Sequence, residues 1–169
     1  VRIYGGYHWK LAERTGAAKP AVLIASNIVP LPNISGGSQY LCKTVLPMHE
    51  HYDLHLLLVC DESTGDTIEQ ELDAYRTYFT TVTLIKRRGL PKHFLRKMLY
   101  FAHRMILELP FLDINFYTYG AVLAADHLIR EYDIRLMDCQ STHMGYLKLF
   151  FPKMPALLTS HNIECELHP

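Results

Sequence analysis

The sequence predicts an α/β domain built on a doubly wound parallel sheet, and three observations carry that prediction. Short unbroken apolar runs, Ala21-Val22-Leu23-Ile24-Ala25-Ser26-Asn27 and Leu54-His55-Leu56-Leu57-Leu58-Val59-Cys60, have the length and composition of strands covered on both faces. Between such runs lie segments whose apolar residues recur at helical spacing, so strand and helix alternate along the chain. The length of 169 residues and a hydrophobic content of 49% suit one domain with one well-buried core.

Taken in order, residues 1 to 19 hold Gly5, Gly6 and Gly16 among aromatic and basic residues without a period. They read as an extension, or an edge element, ahead of a domain that begins at residue 20. The first strand ends at Asn27, and after a loop closed by Gly36-Gly37 the segment 38–50 can form a helix leading to the second strand. A polar turn over 61–66 precedes Ile68, Leu72, Tyr75 and Phe79, one apolar helix stripe, and Thr81-Val82-Thr83-Leu84-Ile85 supplies a third strand. Leu95, Met98, Leu99, Ala102, Ile106 and Leu109 predict a further helix stripe up to Pro110, and Ala121, Val122, Ala125, Leu128 and Ile129 another before Tyr132. Strands are expected at 134–139 and 156–160, with a short helical segment between His143 and Phe150. The chain has no initiator methionine and reaches Pro169 as a new helix begins, which reads as a fragment lacking a further C-terminal domain.

Bulk properties narrow the partners. Lysine plus arginine and aspartate plus glutamate both number 17, so no global field favours nucleic acid or a broad anionic surface. Cys42, Cys60, Cys139 and Cys165 are scattered, without a C-x-x-C pair, as expected for reduced thiols in a cytosolic protein. No apolar run approaches the roughly 20 residues of a membrane span, and no signal-peptide pattern opens the chain.

Ligands of an open parallel sheet bind beyond the carboxyl ends of its strands, where loops gather and helix N-termini point. That rule selects the loop after the first strand, Asp61-Glu62 after the second, Gln140 to His143 after a later one, and His161-Asn162-Ile163-Glu164 after the last. In Pro30-Leu31-Pro32-Asn33-Ile34-Ser35-Gly36-Gly37, prolines stiffen the approach and the glycines let a ligand come near the backbone. Helix amides exposed just after Gly37 could then donate to a phosphate, helped by the helix dipole, which makes Gly36, Gly37 and Ser38 the candidate donor-phosphate residues. The plainer reading is a strand-to-helix turn whose glycines permit positive φ. A dinucleotide fold fits poorly, because Gly36-Gly37-Ser38-Gln39-Tyr40-Leu41 lacks the later glycines of G-x-G-x-x-G, and no P-loop motif is present.

His161 stands at a strand's carboxyl end, where an imidazole can hydrogen-bond a sugar hydroxyl and carry charge during a reaction; the plainer reading has Asn162 cap a helix and His161 satisfy a backbone group. Asn33, Gln140, His143, Asn162 and Glu164 are candidate acceptor or cleft contacts, though Gln140 and His143 read equally as solvated loop residues. His51 and His55 share a four-residue spacing but fall on a turn and a strand, so no metal is assigned. Lys86, Arg87, Arg88, Lys92, Arg96 and Lys97, with aromatics between, form the one local basic concentration. It reads either as a solvated face over the core stripe or as a helix lying on the inner face of an anionic membrane.

Taken together, two segments resemble the N-terminal domain of glycosyltransferase family 4 enzymes of the GT-B fold. They are Pro30-Leu31-Pro32-Asn33-Ile34-Ser35-Gly36-Gly37 and Leu157-Leu158-Thr159-Ser160-His161-Asn162-Ile163-Glu164. His49-Glu50-His51-Tyr52-Asp53-Leu54 is similar to that family's entry into the second strand, and Tyr132-Asp133-Ile134-Arg135-Leu136 to its entry into the strand before the histidine segment. The resemblance runs from about residue 20 to 166 in order and spacing. It implies a Rossmann-like, acceptor-side half of a two-domain, retaining glycosyltransferase that takes a nucleotide-diphosphate sugar as donor and needs no metal or cofactor. The implied acceptor is a glycan or lipid-linked saccharide, of the kind used for cell-envelope polysaccharide. Gly36 and Gly37 would approach the donor diphosphate, His161 would be the catalytic contact to the donor sugar, and Glu164 belongs to the same motif. Without the donor-binding domain this chain would not catalyse transfer. Another GT-B enzyme, such as a sugar-nucleotide epimerase, and a non-catalytic ligand-binding module are the alternatives.

Overall fold

The computed structural model describes residues 2–12, 19–31, 35–87, 98, 101–102, 105–106 and 117–159. Five parallel strands form the centre: β3 (Ala21–Ser26), β4 (Asp53–Cys60), β5 (Thr81–Lys86), β6 (Leu136–Cys139) and β7 (Ala156–Leu158). Two strands precede them, β1 (Arg2–Ile3) and β2 (Gly6–Lys10), and the seven-stranded order is β1-β2-β5-β4-β3-β6-β7. Within the parallel set the chain therefore starts at the centre, runs outward to β5, then returns and continues from β6 on the other side of β3. The order in which strands are added to the sheet reverses between β3 and β6, and open α/β sheets bind their ligands at the carboxyl ends beside such a reversal.

Alternation along the strands explains the layers. Leu23, Ala25, Leu57, Val59 and Ile85 point to one face and pack on helix α4 (Tyr119–Tyr132) through Ala121, Ala125 and Leu128. Val22, Ile24, Leu56, Leu58 and Leu84 point to the other and pack on Leu41 of α1 (Gly36–Thr44), Ile68 of α2 (Glu62–Gln70) and Tyr75 of α3 (Leu72–Arg76). Both faces are covered, which is why β3 and β4 read as unbroken apolar runs rather than as alternating ones. The doubly wound α/β class expected from the sequence is thus observed.

Several boundaries differ from expectation. The helix expected over 38–50 begins earlier and stops at Thr44, and a 3-10 turn (Leu46–Glu50) with Pro47 in its first residues takes over, because proline cannot donate within an α-helix interior. The polar turn expected over 61–66 is already helix from Glu62, and the stripe Ile68, Leu72, Tyr75, Phe79 spans two helices parted at Glu71. The fourth strand starts at Leu136 rather than 134, because Asp133 closes α4 in the left-handed conformation at φ 50°. The expected short helical segment resolves into a 3-10 turn (Thr142–Met144) and α5 (Leu147–Phe150). Met98, Ala102 and Ile106 are helical as expected, but the stripe is not core there: all three are exposed, Ile106 by 79%. Leu95, Leu99 and Leu109 lie outside the described residues.

Residues 2–10 form an antiparallel hairpin whose second strand pairs with β5 from Gly6↔Ile85 to Lys10↔Thr81. Gly6 is obligatory there, since a Cβ would overlap the Leu84 carbonyl. Gly6→Ala is therefore expected to cost about 3 kcal/mol or more, because backbone must move to admit it. Urea unfolding checks this, and a loss below about 1 kcal/mol would show that the pairing at Gly6 is looser than described.

Candidate functional site

The loop leaving β3 is held by a series of side chains. The Ser26 hydroxyl donates to the Ile28 carbonyl at 2.8 Å and accepts from the Ile28 amide at 2.9 Å. The Ser38 hydroxyl donates to the Val29 carbonyl at 2.8 Å, the Cys42 thiol to the Pro30 carbonyl at 3.2 Å, and the Tyr75 hydroxyl to the Leu31 carbonyl at 2.8 Å. Successive carbonyls from 28 to 31 are thus each bound by a side chain, three of them, Ser26, Ser38 and Tyr75, buried. Burial raises the Cys42 and Tyr75 acidities' midpoints above their usual values, which keeps both protons in place as donors.

The loop feeds α1. Ser35 is its N-cap, in extended backbone, and its hydroxyl oxygen accepts from the Ser38 amide at 3.1 Å. Because the single Ser38 hydroxyl proton is committed to Val29, the 2.7 Å contact between the two serine hydroxyls has Ser35 donating. The helix therefore starts at Gly36, and the two glycines form its first turn, where the amides have no acceptor within the helix. Neither glycine has positive φ, so the conformational reason for a Gly-Gly pair is not the one that operates here. Gly37 is explained by packing, since a Cβ would come within 2.8 Å of the Ile28 Cδ1. Gly36 is not: among the described residues, nothing lies within 4 Å of where its Cβ would be. The first turn also carries no acidic residue. Ser38 faces inward, so its part is to hold the loop rather than to meet a ligand.

On the other side of the reversal, the end of β6 supplies a polar cluster. The Gln140 amide donates to the Ala25 carbonyl at 2.8 Å, and the Ser141 hydroxyl to Asn27 Oδ1 at 2.8 Å, tying the β6 end directly to the β3 end. Asp138 is buried and accepts from Gln140 Nε2 at 2.6 Å and, at a longer 3.4 Å, from the Thr159 hydroxyl just after β7. Burial, with the neighbouring Asp138 charge, pushes the Cys139 thiol up to about 12, and burial does the same to Cys60. Neither thiol is a nucleophile at neutral pH.

The structure thus brings Gly36, Gly37, Ser38 and Gln140 to the carboxyl edge of β3 and β6, with His143 in the 3-10 turn after β6, half-buried. Asn33, His161, Asn162 and Glu164 lie outside the described residues. His51 sits exposed at the end of the 3-10 turn, whereas His55 is fully buried in β4 with Nδ1 2.9 Å from Thr81 Oγ1. Of the basic concentration, Lys86 lies 5.2 Å over the Tyr7 ring and Arg87 pairs with Asp61 at 3.1 Å; Arg88, Lys92, Arg96 and Lys97 lie outside the described residues. Among the described residues, no helix is long and apolar enough to cross a membrane.

Sequence reading missed Ser26, Cys42 and Tyr75 as holders of the loop, and Asp138 at the carboxyl edge of β6; Ser141 falls inside the expected segment from Gln140 to His143. Asp138 had a signal, an acid in the otherwise apolar run Leu136-Met137-Asp138-Cys139 at a strand's end. Tyr75 had none, since it stands 44 residues from its acceptor and doubles as a core residue.

The sheet order, the two covered faces and the glycine-led helix after the first central strand define a Rossmann-like α/β domain. No family model matches the chain, and no curated protein or solved structure matches it.

Proposed function

We propose that this domain is the acceptor-side half of a GT-B glycosyltransferase, with the N-terminus of α1 turned to the diphosphate of a nucleotide-sugar donor. The observation that carries the reading is Gly36. A glycine in a helix costs up to about 1 kcal/mol against alanine, and at Gly36 neither φ nor a neighbouring atom requires one. A ligand approaching the bare amides would supply the reason, and the absence of an acid from the first turn keeps that approach open to an anion. The rest follows from the resemblance of the two motifs.

The chemistry asks for this arrangement. As the bond between the sugar's anomeric carbon and the phosphate oxygen breaks, the electron pair goes to the phosphate and positive charge grows on the sugar. Fixed amide dipoles at Gly36 and Gly37 would stabilise the departing phosphate without reorganising. The side chains that bind the carbonyls from 28 to 31 would keep those negative dipole ends away from it. His161 would order hydroxyls about the sugar, and a second domain would close the cleft from the donor side.

Phosphorus NMR of the full-length protein with nucleotide-diphosphate sugars and a saccharide acceptor tests the reading. The expected result is release of nucleoside diphosphate with a product of unchanged anomeric configuration. Inversion of that configuration would contradict it.

A further inference from the structure

The face of the sheet under α4 carries a polar seam. Thr83 and Thr81 of β5 are fully buried on that face, and each meets an imidazole: His8 Nδ1 lies 2.8 Å from Thr83 Oγ1, and His55 Nδ1 2.9 Å from Thr81 Oγ1. The His8 ring is also 6.4 Å from the His127 ring of α4, edge to face, and the Tyr4 ring is 6.2 Å from the same imidazole. His127 Nε2 in turn lies 2.8 Å from Glu131 Oε2. His127 therefore stands where the hairpin meets the helix.

The hairpin turn is strained. Tyr4 has φ 47° and Gly5 φ 83°, and a bulky residue in the left-handed region is a conformational outlier that its surroundings must hold. What holds it is α4, whose Gly120 leaves room for the Tyr4 carbonyl; a Cβ there would lie 2.6 Å from that oxygen.

We infer that the β1–β2 hairpin is an acid-released strap, held on β5 at neutral pH by the His8–Thr83 bond and the His8–His127–Glu131 contact, and loosened when the His8 imidazole takes up a proton. This goes beyond the sugar-transfer reading and does not depend on it. Burial disfavours the charged form of His8 and lowers its pKa from 6.5; Glu131 opposes that, while His127 and the amino group of the first residue reinforce it. A folded-state pKa below the unfolded one means that the contribution of His8 to holding the strap is complete above about 6.5 and is lost as pH falls through the folded value. On α4, Asp126 and Arg130 pair with each other at 3.0 Å. On the opposite face of β2, Tyr7 stacks on Trp9 and lies under Lys86. His55 is the next imidazole along the seam, but it sits in a central strand, so its protonation would strike β4 rather than the hairpin.

Amide hydrogen exchange of the whole chain at about pH 7.5 and about pH 5.5, corrected for intrinsic rates, reads this directly. Amides of the β2–β5 ladder are expected to lose protection about tenfold or more at the lower pH while the β3–β4 ladder keeps its own, and both His8→Gln and the surface variant His127→Gln are expected to remove most of that difference. Equal loss in both ladders, no loss, or a pH dependence unchanged from the parent in either variant would overturn the inference.

Discussion

Gly36→Asp is expected to leave this domain as stable as the parent or about 1 kcal/mol more so, and in the full-length protein to weaken nucleotide-diphosphate sugar binding by about 100-fold. The stability half follows from space and conformation. Among the described residues nothing lies within 4 Å of the new Cβ, the backbone is helical, and an acid in the first turn of α1, which has none, favours the helix dipole. The binding half follows from charge. On the proposed reading, a carboxylate there would face the diphosphate at short range and would compete for the amides that bind it. A hundredfold is about 2.7 kcal/mol, which lies within what two like charges a few ångströms apart exert near a protein surface. Thermal unfolding and titration, done on the same preparation, separate the two. Unchanged affinity would place the phosphate elsewhere, and a destabilised fold would mean that the space above Gly36 is not open.

The contrast with Gly6 shows how much of this was legible. Both glycines stand in a Gly-Gly pair, and nothing in the sequence distinguishes their roles. Gly6 is fixed by the Leu84 carbonyl on a strand 75 residues and more away, a pairing that leaves no local period. The central strands were legible because burial on both faces leaves an unbroken apolar run, and their parallel direction because helical segments alternate with them and must return the chain. The start of α1 was not, because a serine cap two residues earlier takes the glycines into the helix. The expected stripe from Leu95 to Leu109 misled for another reason: helical spacing of apolar residues predicts a helix, but not that Met98 or Ile106 will face the core.

The candidate site was legible as a place and not as a set of contacts. The carboxyl ends of the strands can be read from strand boundaries, which is how Gly36, Gly37, Gln140 and His143 were chosen. Which of these face a ligand depends on tertiary hydrogen bonds. Ser38 is drawn inward by Val29, and Gln140 is buried and bound to Asp138.

On the sugar-transfer reading, His161→Ala in the full-length protein is expected to lower turnover by about 10²- to 10⁴-fold, the range typical of a positioned side chain that carries or moves charge in a transition state. Urea unfolding of the same variant, measured beside turnover, separates a lost part in the reaction from a lost fold. His161→Asn offers a useful companion: it keeps a hydrogen-bonding group but cannot take a proton. Loss in alanine alone would assign His161 to positioning, and equal loss in both would assign it to charge. Near-normal turnover of the alanine variant would refute any role in the reaction.

The most direct measurement is isothermal titration of the full-length protein with a panel of nucleotide-diphosphate sugars. The account predicts saturable binding of at least one member, competed by the matching nucleoside diphosphate and weakened in the Gly36→Asp variant. Silence across the panel would contradict it and would leave a Rossmann-like module that binds something other than an activated sugar.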